Sequence, residues 1–344
     1  MLLKEFRELR RDRRTMAMIV FLPILLLVVF GYAANFEVDE VTTAVLGPQA
    51  EQAGTNAPEV FDVVETDQQG TQATAVDLLQ RNTADVAVLT GTEPVQVFVD
   101  GSALFSAQAA VSAFNRLGDQ VQVQILFNPD LTTSWVMVPG IVGLILMFVG
   151  TVVTSIGLVK ERERGTLEQL AVMPIRPSTV ILGKITPYFL LASLDMILVT
   201  VLGMLLFDVP FNGNVAAFAL GAALFLFVVL GIGVFISTVS ATVGQAIQTA
   251  FFFLLPQILL SGFIFPLDAI PWGVRWISYL LPLTYFTQIS QGIMLRGAPI
   301  DSLWLPFMAL SLMAAFVFVG AVLRFRRSLT PGTPRHHRHA KVAA

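Results

Sequence analysis

Apolar residues along this chain gather in blocks too long for the core of a soluble domain. A helix rises about 1.5 Å per residue and needs about 20 apolar residues to cross a hydrocarbon layer about 30 Å thick. Six stretches reach that length: residues 16–36, 136–159, 185–207, 215–239, 246–265 and 303–323. A seventh, 277–293, is shorter and is broken by Pro282. It carries Ser278, Thr284, Gln288, Ser290 and Gln291, so it reads as re-entrant or interfacial rather than spanning. The first block has Arg in front and Tyr32-Ala33-Ala34 behind, but its apolar run exceeds that of a cleaved signal and predicts an uncleaved first span.

Between the first two blocks the pattern changes to that of a soluble domain, residues 37–133. Short β-branched runs at 41–46, 85–89 and 95–99 predict strands, and apolar spacing over 72–81 and 103–126 predicts helices. Gly47-Pro48 and Asp100-Gly101 supply turns. The expectation is a small α/β domain whose last helix leads into the second span. This stretch holds no His, no Cys and no compact set of carboxylates, so neither a metal site nor a catalytic pair is indicated.

Composition agrees with lipid as the solvent. Of the 344 residues 55% are hydrophobic and 13% charged, against roughly 25% charged in soluble domains. The absence of cysteine excludes disulfides, thiolate nucleophiles and Cys-ligated zinc or iron–sulfur clusters. Charge orients the spans, because cytoplasmic flanks collect Lys and Arg. Residues 1–15, 160–184 and the tail after Leu323 together hold 17 of the 21 basic residues; only Arg81, Arg116, Arg275 and Arg296 fall on the other side. Six spans with both termini cytoplasmic satisfy this count, and a seventh would carry the basic tail outside. Residues 37–133 carry a net charge of −12 on 14 acidic and two basic residues. That acidity reads as a soluble surface or as a collector of cationic substrate.

A few segments are candidates for mechanism. Leu2, Leu3, Phe6 and Leu9 share one face of an N-terminal helix, with Lys4, Arg7, Glu8 and Arg11 opposite, as in an interfacial helix or a plain cytoplasmic anchor. The stretch Lys160 to Pro174 between spans two and three predicts a short charged helix: Arg164 and Glu168 pair four apart, Leu167 and Leu170 share a face, and Pro174 and Pro177 end it. Such a helix either passes a push from a cytoplasmic partner into the membrane or is a solvated loop. Asp195 is the one ionisable residue deep in a span, with Ser193, Thr200 or Gln257 as candidate partners. It reads either as lining a path or as an interhelical hydrogen bond. Pro266, Pro271 and Pro282 suggest backbone folded back at membrane depth on the outer side, or a cap lying on the leaflet. Gly183-Lys184 lacks the preceding Gly and following Ser/Thr of a phosphate loop. His336, His337 and His339 sit in a basic tail rather than in a ligand pattern.

Together these segments resemble the ABC type-2 permeases. The resemblance is carried by Glu161-Arg162-Glu163-Arg164-Gly165-Thr166-Leu167-Glu168-Gln169-Leu170 with Pro174-Ile175, by Leu182-Gly183-Lys184 and by Ser261-Gly262-Phe263-Ile264-Phe265-Pro266-Leu267. Pro282-Leu283-Thr284-Tyr285-Phe286 and Gly292-Ile293-Met294-Leu295-Arg296-Gly297 extend it over nearly the whole chain. The large outer domain is more similar to the multidrug and antibiotic-export branch, with its daunorubicin- and linearmycin-type permeases, than to the polysaccharide branch. Met173 before Pro174, and Gln291 where an Arg commonly precedes the Gly, depart from the pattern.

The resemblance implies an α-helical polytopic protein of the bacterial cytoplasmic membrane with six transmembrane helices and an α/β domain between the first two. It implies an interfacial helix at 1–15, a coupling helix at 160–173 in which Glu161 to Leu170 meet an ATPase, an outer re-entrant segment at 266–300 and a cytoplasmic tail at 325–344. Pro266, Asp268, Pro282, Thr284, Tyr285 and Gln291 become residues of an outer gate. Two permeases, identical or sisters, pair in the bilayer and each docks an ATP-binding subunit that supplies ATP and Mg; no cofactor or nucleic acid belongs to this chain. The expected function is export of a hydrophobic or amphiphilic compound by a subunit that is not itself an enzyme. A membrane-embedded sensor or scaffold is the alternative. A secondary transporter would need more intramembrane polar sites and internal repeats.

Overall fold

The computed structural model describes residues 40–58, 60–164, 177–270 and 272–329. The expected interfacial helix, the first span, residues 165–173 of the coupling helix and the end of the tail lie outside the described residues.

Five strands form one sheet: β1 (Val41–Leu46), β2 (Phe61–Asp67), β3 (Val86–Leu89), β4 (Val95–Asp100) and β5 (Val121–Leu126), in the order β2-β1-β3-β4-β5. Only the β3–β4 pair is antiparallel. Helices α1 (Ala50–Thr55), α2 (Gln72–Gln80) and α3 (Leu104–Phe114) flank it. On one face α2 buries Ala75, Leu78 and Leu79 against Ala44, Leu46, Ala87 and Phe98. On the other, α3 buries Ala107, Ala110 and Phe114 against Val41, Val86, Val97 and Val99. Cover on both faces is why β1 is buried almost throughout.

Five long helices follow: α4 (Thr133–Glu163), α5 (Pro177–Phe207), α6 (Val215–Val239), α7 (Val243–Leu260) and, after two short ones, α10 (Trp304–Leu329). Each contains a stretch long and apolar enough to cross a membrane, five among the described residues. Helix α6 is the axis of the bundle, 67% buried over its most apolar window against 22% for α5. Helix α5 turns Leu190, Leu191, Leu194, Ile197 and Leu198 outward, as a lipid-facing helix does. Between α7 and α10 the chain makes α8 (Trp272–Ser278), α9 (Pro282–Gln291) and one π-helical turn, Gly292–Arg296. Helix α9 is buried along most of its length and packs among α4, α6 and α10.

Small residues let these helices approach. A Cβ on Gly143 of α4 would lie 2.5 Å from Cδ1 of Phe286, and one on Gly150 would lie 2.8 Å from Cγ1 of Val229. Both approaches are close enough that only Gly fits, and the spacing of seven keeps the two positions on one side of α4. Phe286 then stacks on Phe225 with ring centroids 4.4 Å apart.

The structure corrects several boundaries. The helix expected over 103–126 ends at Phe114; a 3-10 segment, Asn115–Gln120, contains Gly118 at φ 60°, and Val121–Leu126 is strand β5. The alternation Val-Gln-Val-Gln in β5 is a strand period, outweighed in the sequence reading by the helical pattern before it. Strand β2 and helix α1 were not expected; both sit in a stretch rich in polar and acidic residues. Glu161, Arg162 and Glu163 belong to the last turn of α4 rather than to a separate helix, and Arg164 follows as a turn. Pro177 opens α5, in keeping with the tolerance of a first helical turn for a residue without N–H. The span expected over 246–265 closes at Leu260 as α7, and α10 continues to Leu329, into the stretch expected as tail.

Replacing Gly143 by Leu forces the ring of Phe286 and the side chain of Leu283 out of place. Overpacking of this kind costs about 1–3 kcal/mol. The expected outcome is a lower temperature for loss of the monodisperse species of the detergent-purified chain, with a smaller loss for Leu at exposed Val153.

Candidate functional site

Helix α9 begins inside the bundle, where its first N–H groups lack water. Pro282 opens it and has no N–H to satisfy, and the Leu283 N–H donates to Oε1 of fully buried Gln257 on α7 at 3.3 Å. The end of α8 has the opposite need, free carbonyls. Thr284 Oγ1 donates to Ser278 O and Tyr285 OH to Tyr279 O, both at 2.8 Å. At the far end of α9, Gln291 Nε2 donates to Val136 O at the start of α4, 2.9 Å. Of the expected gate residues, Pro282 therefore opens α9, Thr284 and Tyr285 close the short hairpin on itself, and Gln291 ties it to α4. Pro266 precedes a 3-10 turn, Leu267–Ala269, that contains Asp268.

The π turn after α9 is held from outside. Asn212, between α5 and α6, donates its N–H to Met294 O at 3.0 Å and its Nδ2 to Leu295 O at 2.7 Å. Gly297 ends the turn in left-handed geometry, φ 64°, where its Cβ-less backbone sits against Asn212. The wide turn carries Arg296 into the α/β domain. Its Nη1 donates to Ser102 Oγ at 3.1 Å and lies 3.6 Å from Asp100 Oδ2, with Arg296 only 9% exposed and Asp100 0%. Asp100 also accepts the Ser102 N–H at 2.7 Å. Asp100 Oδ2 and Arg296 Nε have no hydrogen-bond partner, so this buried ion pair is incompletely closed.

A second row of contacts runs along the rim. Gln80 Nε2 of α2 donates to Gly297 O at 2.9 Å, and Arg81 pairs with Asp77 at 2.9 Å and with Asp301 at 2.6 Å. Beside the buried pair lies Asp85. Burial pushes its carboxyl above the ordinary value of 3.8, while a hydrogen bond from Ser106 opposes the shift. Burial likewise raises Asp100, against the pull of Arg296. A cavity of about 190 Å³ joins the two parts of the molecule, lined among others by Asp85, Ser102, Ser106, Phe263, Pro266 and Gln291.

Of the sequence-predicted residues, the structure brings together Pro266 and Gln291 at this cavity. Pro282, Thr284 and Tyr285 lie at the other end of α9, and Glu161 to Glu163 at the opposite end of α4. Gly165, Thr166, Leu167, Glu168, Gln169 and Leu170 lie outside the described residues. Asp195 stands in α5, and its Oδ2 is buried without a hydrogen-bond partner, as are Thr200 Oγ1 and Gln257 Nε2. The hydrogen bond expected from Thr200 or from the Gln257 amide to that oxygen is therefore not made. Sequence reasoning missed Asp85, Asp100 and Arg296. The available signal was that Arg296 is one of only four basic residues on the acidic side of the charge pattern. Among the described residues no group of His, Cys, Asp and Glu is arranged to hold a metal ion.

Truncating Arg296 to Met leaves Asp100 buried and uncompensated, a loss of about 3–5 kcal/mol, whereas replacing both partners with apolar residues is far milder. The expected outcome is a large drop in thermal stability for Arg296→Met that Asp100→Leu in the same chain largely restores. Asp85 supplies a pH signature. Its raised value means that the folded protein binds a proton better than the unfolded chain, so stability rises as pH falls from the folded value toward 3.8 and levels off below it. Asp85→Asn is expected to flatten this part of a thermal-stability profile against pH.

Comparison with known proteins follows the same span of chain. The family described as ABC-2 family transporter protein matches residues 13–323. Two proteins of Escherichia coli (strain K12) are similar over most of their length. "Probable multidrug ABC transporter permease YbhR" is 27% identical over 95% of this chain and 97% of its own length. "Probable multidrug ABC transporter permease YbhS" is 31% identical over 86% of this chain and 87% of its own. "Inner membrane transport permease YhhJ" from the same strain is 32% identical over 61% of this chain and 56% of its own. With long apolar helices, a buried hairpin and a match that covers the bundle and the α/β domain alike, this chain belongs to the ABC-2 family of transporter permeases.

Proposed function

We propose that this chain is the membrane subunit of an ATP-driven exporter that moves hydrophobic or amphiphilic compounds out of the cytoplasm or the inner leaflet. The observation that carries this reading is similarity over nearly the full length to permeases named for multidrug transport. A separate ATP-binding subunit, with its ATP and Mg, drives the cycle, and a second permease completes the path. The distribution of Lys and Arg supports a reading with both termini in the cytoplasm and the α/β domain outside. The name of YhhJ supports an inner-membrane location.

Helix α4 is the mechanical link in this reading. Its 31 residues span about 46 Å as one element. One end carries Glu161 to Glu163 at the start of the coupling segment, which continues through Gly165, Thr166, Leu167, Glu168, Gln169 and Leu170. The other end holds Val136, bonded to Gln291, and Gly143, packed on Phe286. A push from the ATPase on the first end displaces the outer hairpin through the second, shifting the balance between inward- and outward-open states. Pro266, Asp268, Pro282, Thr284, Tyr285 and Gln291 belong to the outer gate that such a displacement opens. Asp195, with an unsatisfied carboxylate oxygen inside the bundle, faces the path or a helix contact along it.

Replacing Leu167 and Glu168 together by Ala is expected to lower drug-stimulated ATPase activity of the complex with its ATP-binding partner at unchanged complex yield. Undiminished stimulation would remove the coupling assignment while leaving the permease reading intact.

A further inference from the structure

The two faces of the sheet are not closed equally. Helix α2 seals one face, whereas on the other α3 covers the part next to β4 and β5 and the short α1 flanks the β2 edge. Between α1 and α3 a cleft of about 430 Å³ remains. Its floor is Thr43, Val45 and Val88, three residues that point to the same side of neighbouring strands. Phe61 and Phe114, with ring centroids 4.9 Å apart, form a wall, and Ala53 of α1 faces them. A volume within roughly 300–1,000 Å³ with apolar walls is that of a small-molecule site.

Charge singles out one kind of occupant. The domain has two basic residues in a surplus of carboxylates. Arg81 is engaged by Asp77 and Asp301 at the junction with the bundle. The other, Arg116, stands exposed at the rim of this apolar cleft. A cationic ligand would find carboxylates over much of the domain surface, whereas an anionic head is offered a positive partner beside an apolar pocket at this mouth. Repulsion from distant carboxylates is screened within about 8–10 Å at physiological salt.

We propose that the cleft between α1 and α3 binds a small anionic amphiphile, its apolar tail lying over Val45 and Val88 between the Phe61–Phe114 pair and Ala53, and its acidic head meeting Arg116. The site is separate from the junction cavity beside Asp85 and does not depend on what the helices transport or in which direction.

The test uses the full chain in phosphatidylcholine nanodiscs, exposed to a photoreactive diazirine fatty acid and, in parallel, to its uncharged methyl ester. Labelled peptides are mapped by mass spectrometry. The expected result is labelling within residues 53–61 and 113–116 by the acid, reduced about five-fold for the ester and for Arg116→Glu. Ala53→Phe, which fills the cleft, is expected to reduce labelling by the acid and the ester alike. Labelling confined to the long helices overturns the proposal. So does a cleft labelled as strongly by the ester as by the acid, or labelling that neither substitution changes. Because Arg116 is exposed, its substitution leaves the fold intact and keeps the test decisive even if the filled cleft distorts the domain.

Discussion

Backbone that leaves helical geometry inside an apolar bundle must find every hydrogen-bond partner within the protein, and this requirement organises the domain-side half of the molecule. The hairpin of α8 and α9 meets it with side chains. Gln257 takes an N–H at the start of α9, while Thr284 and Tyr285 return to carbonyls at the end of α8. The π turn meets it with Asn212, reaching from the loop between two other helices. These contacts tie α7 to the start of α9 and the α5–α6 loop to the turn after its end. The close approach of α4 at Gly143 then becomes a condition for packing the hairpin against it.

The long apolar blocks were legible because the bilayer demands length and composition more than detail, and each described long helix lies on one of them. Short elements were legible only where their pattern was clean. The β1 run Val41 to Leu46 has cover on both faces and reads plainly as a strand, whereas Phe61 to Asp67 lies at the sheet edge and mixes three acidic residues among its apolar ones, so it resembled surface loop. Strand β5 was masked by helix α3 because the break between them depends on one residue, Gly118, in a backbone conformation that composition does not announce.

The site shows the same division. Pro282, Thr284 and Gln291 were visible in the sequence as oddities within an apolar stretch and Tyr285 through the family motif, and the structure gives each a hydrogen-bonding or capping task. The pair Asp100 and Arg296 was not visible, because the two residues are 196 positions apart and neither lies within an apolar block. Their interaction depends on the π turn, whose extra width aims Arg296 away from the bundle. A π turn has no sequence signature of its own, and such turns are frequent at functional sites.

The contacts of Gln80, Arg81, Asp100 and Ser102 with Arg296, Gly297 and Asp301 also set where this protein can be divided. The α/β domain precedes all five described long helices in sequence, yet its docking surface is contributed by residues just before the last of them, α10. A chimera that exchanges residues 40–132 alone with a related permease would set a foreign surface against Arg296 and Asp301. A chimera that carries residues 292–301 along with the domain keeps the interface whole. The natural module of exchange is thus discontinuous in the chain, and substitutions at its two segments are expected to vary together across relatives.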